Sequence, residues 1–208
     1  MDSKLSLSLF EMDLLNDREW ILTKNLIIKK AQRLLEEVQN NILGHSRSRA
    51  DVFPPEVRSI APKISKGENY QGLPWLMLDY PRYFNKPHGS DRQAEIFAIR
   101  ILFWWGNFFS ITLHLAGPYK QAYRNGILDS YDELCKGAFY YCIHEDQWHH
   151  HFEKENYLPV KTFGRDEFSR ETQKKSFIKL SSKIEFSEWS RAIDLLTENF
   201  VRITQWLG

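Results

Sequence analysis

Apolar positions recur at three- and four-residue steps along residues 17–43, which predicts a long amphipathic helix near the start of the chain. Its apolar stripe consists of Trp20, Ile27, Ala31, Leu34, Leu35, Val38 and Ile42. Asn16, followed by Glu19, predicts a capping box at the start of this helix, and Gly44 predicts its end. Residues 1–15 precede the helix and are interpreted as a candidate flexible arm.

The next segment, residues 45–73, contains three prolines and two glycines, so it predicts an ordered loop with a short helical turn. The apolar run from Trp75 to Tyr80 predicts a strand. Pro81 is expected to end that strand, because proline cannot donate a hydrogen bond to a sheet.

Residues 96–115 predict a β-hairpin that turns around Gly106 and Asn107. A two-residue turn would place Phe103 opposite Ser110 and mix apolar with polar side chains on both faces. A three-residue connection instead makes one face wholly apolar, so this register is favoured. It pairs Ile99, Ile101 and Phe103 with Leu113, Ile111 and Phe109. The opposite face then carries Arg100, Ser110, Thr112 and His114, with Trp104 and Phe108 at its end.

In the C-terminal half, the hydrophobic pattern predicts a broken helix, two strands and a last helix, with one polar segment between the strands. Residues 118–136 favour a helix broken at 125–126, and residues 139–143 and 176–184 favour strands. The polar segment 145–174 has no clear period. A last helix is indicated by one apolar stripe, formed by Trp189, Ile193, Leu196, Phe200, Ile203 and Leu207.

Strands in the middle of the chain and the two clearest helices at its ends predict an α+β fold. We expect an antiparallel sheet with the long N-terminal helix and the C-terminal helix packed on it. A length of 208 residues favours a single domain over residues 1–208.

The order of these elements resembles that of the YktB-like bacterial family, to which no activity is assigned. The resemblance is carried by the long N-terminal helix and by the segments GENYQGLPWLMLDYP, EIFAIRILFWWGNFFSITLHL, Gly-Pro-Tyr-Lys and FIKLSSKIEFSEWSRAIDLLTENFVRITQWL. It implies a single α+β domain with an antiparallel sheet, and it implies no particular function.

Composition narrows the possible partners. Lys and Arg number 28 against 27 Asp and Glu, so no nucleic-acid partner is expected. No export signal begins the chain, which predicts a cytoplasmic protein with reduced thiols at Cys135 and Cys142. Residues 96–117 have the length of a membrane span, but Arg100 and His114 make that interpretation poor, and no membrane partner is expected.

The polar face of the hairpin is the first candidate site. Arginine binds carboxylates or phosphates through two parallel hydrogen bonds, and nearby aromatic side chains are typical walls of a small-molecule pocket. We therefore predict a pocket for a small anionic molecule. The alternative is a hydrated sheet face on which Arg100 forms an ion pair with Asp79. The candidate ligand-binding residues are Arg100, His114, Thr112, Tyr70, Asp79, Arg82 and Trp104.

The stretch IHEDQWHHHF, residues 143–152, holds four of the seven histidines. It lacks the zinc-protease pattern H-E-x-x-H, because Trp148 stands four residues after His144. A metal-assisted hydrolase remains an alternative, with His144, Asp146, His149 and His151 as candidate ligands and His114 or His88 as a further one. The other interpretation is a solvated polar segment, and no cofactor is predicted. Whether these histidines and Arg100 face one cavity stays open.

The sequence contains no complete catalytic signature, which favours a binding or interaction module over an enzyme. A further alternative is a homo-oligomer whose interface is aromatic. Its candidate interface residues are Trp104, Trp105 and Trp206.

Overall fold

The computed structural model describes residues 5–48, 52–85 and 94–208. Within these ranges the α-helices are α1 (Leu9–Asn16), α2 (Arg18–Ser48), α3 (Pro55–Arg58), α4 (Pro118–Asp129), α5 (Tyr131–Lys136), α6 (Arg165–Lys174) and α7 (Ala192–Trp206). The strands are β1 (Lys63–Tyr70), β2 (Leu73–Asn85), β3 (Glu95–Trp104), β4 (Phe108–Ala116), β5 (Tyr140–Cys142), β6 (Tyr157–Pro159) and β7 (Phe177–Glu185). Short 3₁₀ helices occupy Val160–Thr162 and Phe186–Arg191.

The strands form one antiparallel sheet in the order β1-β2-β3-β4-β7-β5-β6. Helices α2 and α7 pack on one face of this sheet, and their apolar stripes join its side chains in the main core. The predicted α+β fold is therefore confirmed. None of the helices in the described ranges is long and apolar enough to cross a membrane. Residues 96–117 supply β3 and β4 instead.

The central hairpin has the predicted register. Ile99, Ile101 and Phe103 lie opposite Leu113, Ile111 and Phe109, and a three-residue connection joins the strands. Gly106 in that connection has a φ of 73°, which glycine adopts without the steric cost that a side chain would add. The apolar face of the hairpin packs against the helices. Its other face carries the polar side chains.

Two strand predictions were wrong. Strand β2 does not end at Pro81 but continues to Asn85 through an irregularity between Asp79 and Arg82. Tyr80 and Pro81 there stand opposite a single residue of β3, and an extra residue in a bulge needs no ladder hydrogen bond.

Strand β1 lies within the predicted loop 45–73. Its polar sequence suits an exposed edge strand, and the predicted short helical turn is α3.

Helix boundaries also differ from the prediction. Asp17, not Asn16, caps α2 by accepting a hydrogen bond from the Trp20 N–H group at 3.0 Å. The helix continues past Gly44 to Ser48. The predicted break at residues 125–126 is absent, and helix α4 continues through them to Asp129. The Trp206 carbonyl occupies the space that a β-carbon on Gly126 would need. Glycine at this position serves close helix packing, and the break falls at Ser130 instead.

The N-terminal arm, predicted as residues 1–15, contains helix α1. Ser8 and Glu11 form a capping box at its start, in which each side chain bonds the other residue's backbone N–H group. No residue of α1 is buried. The arm therefore has local structure but buries none of its helical residues. Residues 1–4 lie outside the described ranges.

Candidate functional site

The second face of the sheet is covered by residues 143–156, which we call the cover segment. This segment connects β5 to β6 without helix or strand and includes the whole histidine-rich stretch. Beneath it, Ser110, Thr112 and His114 are only 1%, 2% and 0% exposed. The predicted alternative of a hydrated sheet face is wrong at these positions.

Lys179 fixes the cover segment to the sheet and was not identified from the sequence. Its side chain is completely buried, and its ammonium group donates to the Gln147 carbonyl at 2.9 Å and to the His149 carbonyl. The ammonium also lies 5.4 Å from the centre of the Tyr157 ring. Burial lowers the pKa of Lys179 to about 7, against an opposing effect of the Cys142 thiol.

The alternation of residues in β7 contains a signal that could have revealed Lys179. Ile178 and Leu180 point into the core, so Lys179 and Ser181 share the opposite face. In the sheet Lys179 stands opposite His114. The sequence predicted both strands but not that they are neighbours.

His114 and Thr112 are enclosed beneath the cover segment. The His114 Nε2 atom lies 2.7 Å from the Gln147 side-chain oxygen, and burial together with nearby Lys179 lowers the pKa of His114 to about 3. The Thr112 hydroxyl pairs with the Ser181 hydroxyl at 2.8 Å. Both side chains thus have hydrogen-bond partners inside the protein.

Further buried groups hold the cover segment in place. Lys175 donates to the carbonyls of Ile143 and His144 at 2.7 and 2.8 Å. The completely buried Asn156 donates to the His151 carbonyl at 2.5 Å and accepts from the Cys142 thiol at 3.4 Å. Burial raises the pKa of that thiol, so it stays protonated. Lys175 before β7 and Asn156 within the segment itself, together with Lys179 of β7, therefore satisfy backbone carbonyls that a segment without helix or strand leaves unpaired.

Arg100 forms the predicted ion pair with Asp79, with 2.8 Å between Nε and Oδ1. The guanidinium carbon lies 5.4 Å from the centre of the Phe84 ring and 5.8 Å from that of Trp148. The terminal nitrogens of Arg100 have no hydrogen-bond partner among the described residues. Asp79 binds one edge of the guanidinium, and the other edge has no hydrogen-bond partner among the described residues.

A cavity of about 310 Å³ lies between strands β1 to β3 and the cover segment. It is lined by Asn69, Tyr70, Trp75, Met77, Arg100, Leu102, Trp148 and His150. Arg100 and Trp148 also line a second cavity of about 190 Å³, next to Phe84 and Ile96. The histidine-rich stretch and Arg100 therefore do meet in one cavity.

Tyr70 and Trp75 form the aromatic wall of the larger cavity. The Tyr70 hydroxyl accepts a hydrogen bond from the His150 N–H group at 2.7 Å, and its ring packs edge-on against Trp104 at 5.0 Å. The Trp75 indole lies flat over Gly67, where a β-carbon would be only 2.6 Å from the ring. This wall depends on glycine in the neighbouring strand.

The remaining predicted ligand-binding residues have other surroundings. Asp79 reaches the site only through its ion pair with Arg100. Trp104 is buried behind Tyr70 and donates its indole N–H to the Tyr70 carbonyl at 3.2 Å. Arg82 donates to the Ala61 carbonyl at 2.9 Å and does not line the larger cavity. Of the seven predicted residues, Arg100 and Tyr70 line this cavity.

The candidate metal ligands interact mainly with one another. The rings of His144 and His149 stack with centroids 4.4 Å apart, and the His149 Nε2 atom is 3.4 Å from the Asp146 carboxylate. His151 Nε2 lies 3.4 Å from His149 Nδ1. In the part of the chain that the structure describes, no three His, Cys, Asp or Glu side chains are placed to hold a metal ion. His88 lies outside the described residues.

Two of the three predicted interface residues are not available on the surface. Trp104 and Trp206 are 4% and 2% exposed, because each is buried within the chain. Trp105 packs against the core but stays partly exposed.

Comparison with known proteins gives no relatives: no protein-family model, curated protein or solved structure matches this chain. The resemblance to the YktB-like family stays a prediction. Function must therefore be argued from the site itself.

Proposed function

We propose that the protein is a cytoplasmic binding module for a small anionic molecule with a flat apolar part. The ligand occupies the cavity between the cover segment and strands β1 to β3. The main support is Arg100, whose guanidinium lies in the wall of an aromatic cavity with its terminal nitrogens unbonded within the described ranges. Such convergence of a few polar groups with aromatic walls is typical of small-molecule sites.

The chemistry of the cavity favours a carboxylate attached to a ring. Tyr70, Trp75 and Trp148 offer aromatic surfaces to a flat group, and Arg100 offers parallel donors to two oxygens. A volume of about 310 Å³ is near the lower end of ligand sites, which run from about 300 Å³ upward. The ligand is therefore small, on the scale of one or two rings.

Asp79 has a positioning role in this proposal. A carboxylate at 2.8 Å from Nε holds the guanidinium plane and lowers the cost of ordering it when a ligand arrives. The same carboxylate partly cancels the positive charge. Affinity for a simple inorganic anion should consequently be weak, and the ring contacts supply the remainder of the binding energy.

The test is a thermal-shift screen of aromatic carboxylates, aliphatic carboxylates and inorganic phosphate, followed by calorimetry. We expect an aromatic carboxylate to bind best, and Arg100→Met to weaken it at least ~10-fold, a loss of about 1.4 kcal/mol. Arg82→Met is the matched control, because it removes an arginine from β2 outside the larger cavity. The control should bind as the wild type does.

A second variant guards against a folding defect in Arg100→Met. Trp148 is 43% exposed and lines the cavity, so Trp148→Ala should leave the fold intact and weaken the same ligand. Equal affinity in wild type and Trp148→Ala would overturn the proposal. A screen in which no anion binds would overturn it as well.

A further inference from the structure

Exposed apolar side chains are concentrated at the N-terminal end of the described chain. Ten of the eleven large hydrophobic residues that are prominently exposed lie between positions 5 and 26, and each is 41–87% exposed. They are Leu5, Leu7, Leu9, Phe10, Met12, Leu15, Trp20, Ile21, Leu22 and Leu26. A concentration of exposed apolar side chains on this scale is typical of an interaction site.

Helix α1 in particular has little burial to keep it folded. It has eight residues, none of them buried, and an isolated helix of that length is unstable in water. Its sequence LFEMDLLN places apolar residues on more than one side. A helix that is apolar around its circumference is expected to be buried, so α1 lacks its cover in a single copy.

An apolar groove lies close to where α2 reaches the body of the protein. Its volume is about 570 Å³, and it is lined by Ile27, Lys30, Phe103, Trp105, Gly106, Phe186 and Trp189. The groove therefore joins the first part of α2 to the end of the central hairpin. Lys30 is its one charged lining residue.

We propose that two copies of the protein form a symmetric dimer in which α1 of each copy docks into this groove of the other. A two-fold axis makes both contacts equivalent and closes the assembly. The dimer covers α1 and the exposed first turns of α2. This surface is independent of the ligand cavity.

Charge complementarity favours a second copy as the occupant. Helix α1 carries Glu11 and Asp13 and no basic residue, whereas the receiving groove carries Lys30. The first part of α2 adds mainly positive charge near the groove, with Lys24, Lys29, Lys30 and Arg33 against Glu19. Docking of α1 from a second copy brings Glu11 and Asp13 next to this basic part. The acidic α1 is also unsuited to an anionic membrane surface.

The available area is sufficient for a stable dimer. Ten large side chains with 41–87% exposure offer on the order of 1,000 Å² per copy. A standard protein interface buries about 800 Å² per partner. The exposed N-terminal surface can therefore supply such an interface when it is joined to the groove.

Analytical ultracentrifugation of the full chain across the micromolar range tests this dimer. Wild type should sediment as a dimer, and Leu9→Asp with Phe10→Asp should weaken association by more than ~100-fold. Neither residue is buried, so circular dichroism should show an unchanged fold. Trp148→Ala is the control, since it removes an exposed aromatic residue from another surface and should leave the dimer intact.

A charge exchange tests the docking partner of α1. Asp13→Lys and Lys30→Glu should each weaken the dimer about tenfold, and the double variant should recover most of that loss. A wild-type protein that stays monomeric would overturn the proposal. A dimer that survives the Leu9 and Phe10 substitutions, or a double variant without recovery, would overturn it too.

Discussion

The two faces of the sheet are covered by different kinds of structure, helices on one face and an irregular segment on the other. One face is apolar and packs against helices α2 and α7. The other includes Thr112, His114, Lys179 and Ser181, and it lies beneath a segment without helix or strand. Adjacent residues of the same strand therefore meet two different environments.

The difference follows from backbone hydrogen bonding. A helix pairs its own N–H and C=O groups, so an apolar sheet face can accept it through side-chain packing alone. The cover segment has unpaired carbonyls, and Lys179, Lys175 and Asn156 donate to them. Buried donors from the sheet, from the residues just before β7 and from the segment itself thus allow an irregular segment to be buried.

The largest effect is expected on the apolar face. Leu113→Ala removes a completely buried side chain from the core and should lower the free energy of unfolding by about 2–5 kcal/mol. Urea denaturation monitored by tryptophan fluorescence measures this change. A loss below ~1 kcal/mol would show that the helices close over the gap and that this face is not rigidly packed.

A pH-dependent effect is expected on the polar face. Lys179 has a pKa of about 7 in the folded protein instead of its ordinary 10.5. At a pH between these two pKa values, Lys179 is protonated in the unfolded chain and neutral in the folded chain. The free energy of unfolding of the wild type therefore contains a contribution from Lys179 that rises by up to ~1.4 kcal/mol per pH unit. Lys179→Met removes this contribution. The stability of wild type relative to the variant should therefore rise from about pH 7 to about pH 9.

Lys183 supplies the matched control for this measurement. It lies on the same strand, but its side chain is 36% exposed and pairs with Glu185 at 2.8 Å. Lys183→Met should follow the wild-type pH dependence. If Lys179→Met also follows it, the Lys179 ammonium is not held in a buried environment and the proposed attachment of the cover segment is wrong.

The smallest effect is expected at Thr112, the neighbour of Leu113 on the opposite face. Thr112→Val keeps the shape of the side chain and removes its hydrogen bond to the Ser181 hydroxyl. Ser181 retains its bond to the Ile111 carbonyl at 3.2 Å, so the loss should be about 1 kcal/mol. A loss as large as that of Leu113→Ala in the same urea experiment would remove the distinction between the two faces.

The sequence predicted the parts of the fold that depend on local period. The hairpin register followed from Ile99, Ile101 and Phe103, because a shift of one residue would have placed them away from the core. Strand β1 was missed because its polar edge sequence carries no such period. The continuation of β2 past Pro81 depends on a bulge with β3, which is a long-range pairing.

The site was predictable only in part. Arg100 was identified because arginine can bind a carboxylate or phosphate through two hydrogen bonds, and Tyr70 because it could border the same concavity; both line the cavity. The burial of His114 was not predictable from its own strand. His114 is buried next to Lys179 and Gln147, which are 65 and 33 residues away along the sequence. The pairing of β4 with β7 places Lys179 opposite His114, and the cover segment supplies Gln147.

Gly67 does not line the ligand cavity, but it limits which side chain can stand at position 75 in the cavity wall. The Trp75 indole needs the space that any larger residue at position 67 would fill. Positions 67 and 75 are therefore constrained to change together as the sequence diverges, and a larger residue at one calls for a smaller one at the other. Paired changes at these two positions would mark descendants in which the aromatic wall of the cavity has changed shape while Arg100 remains in place.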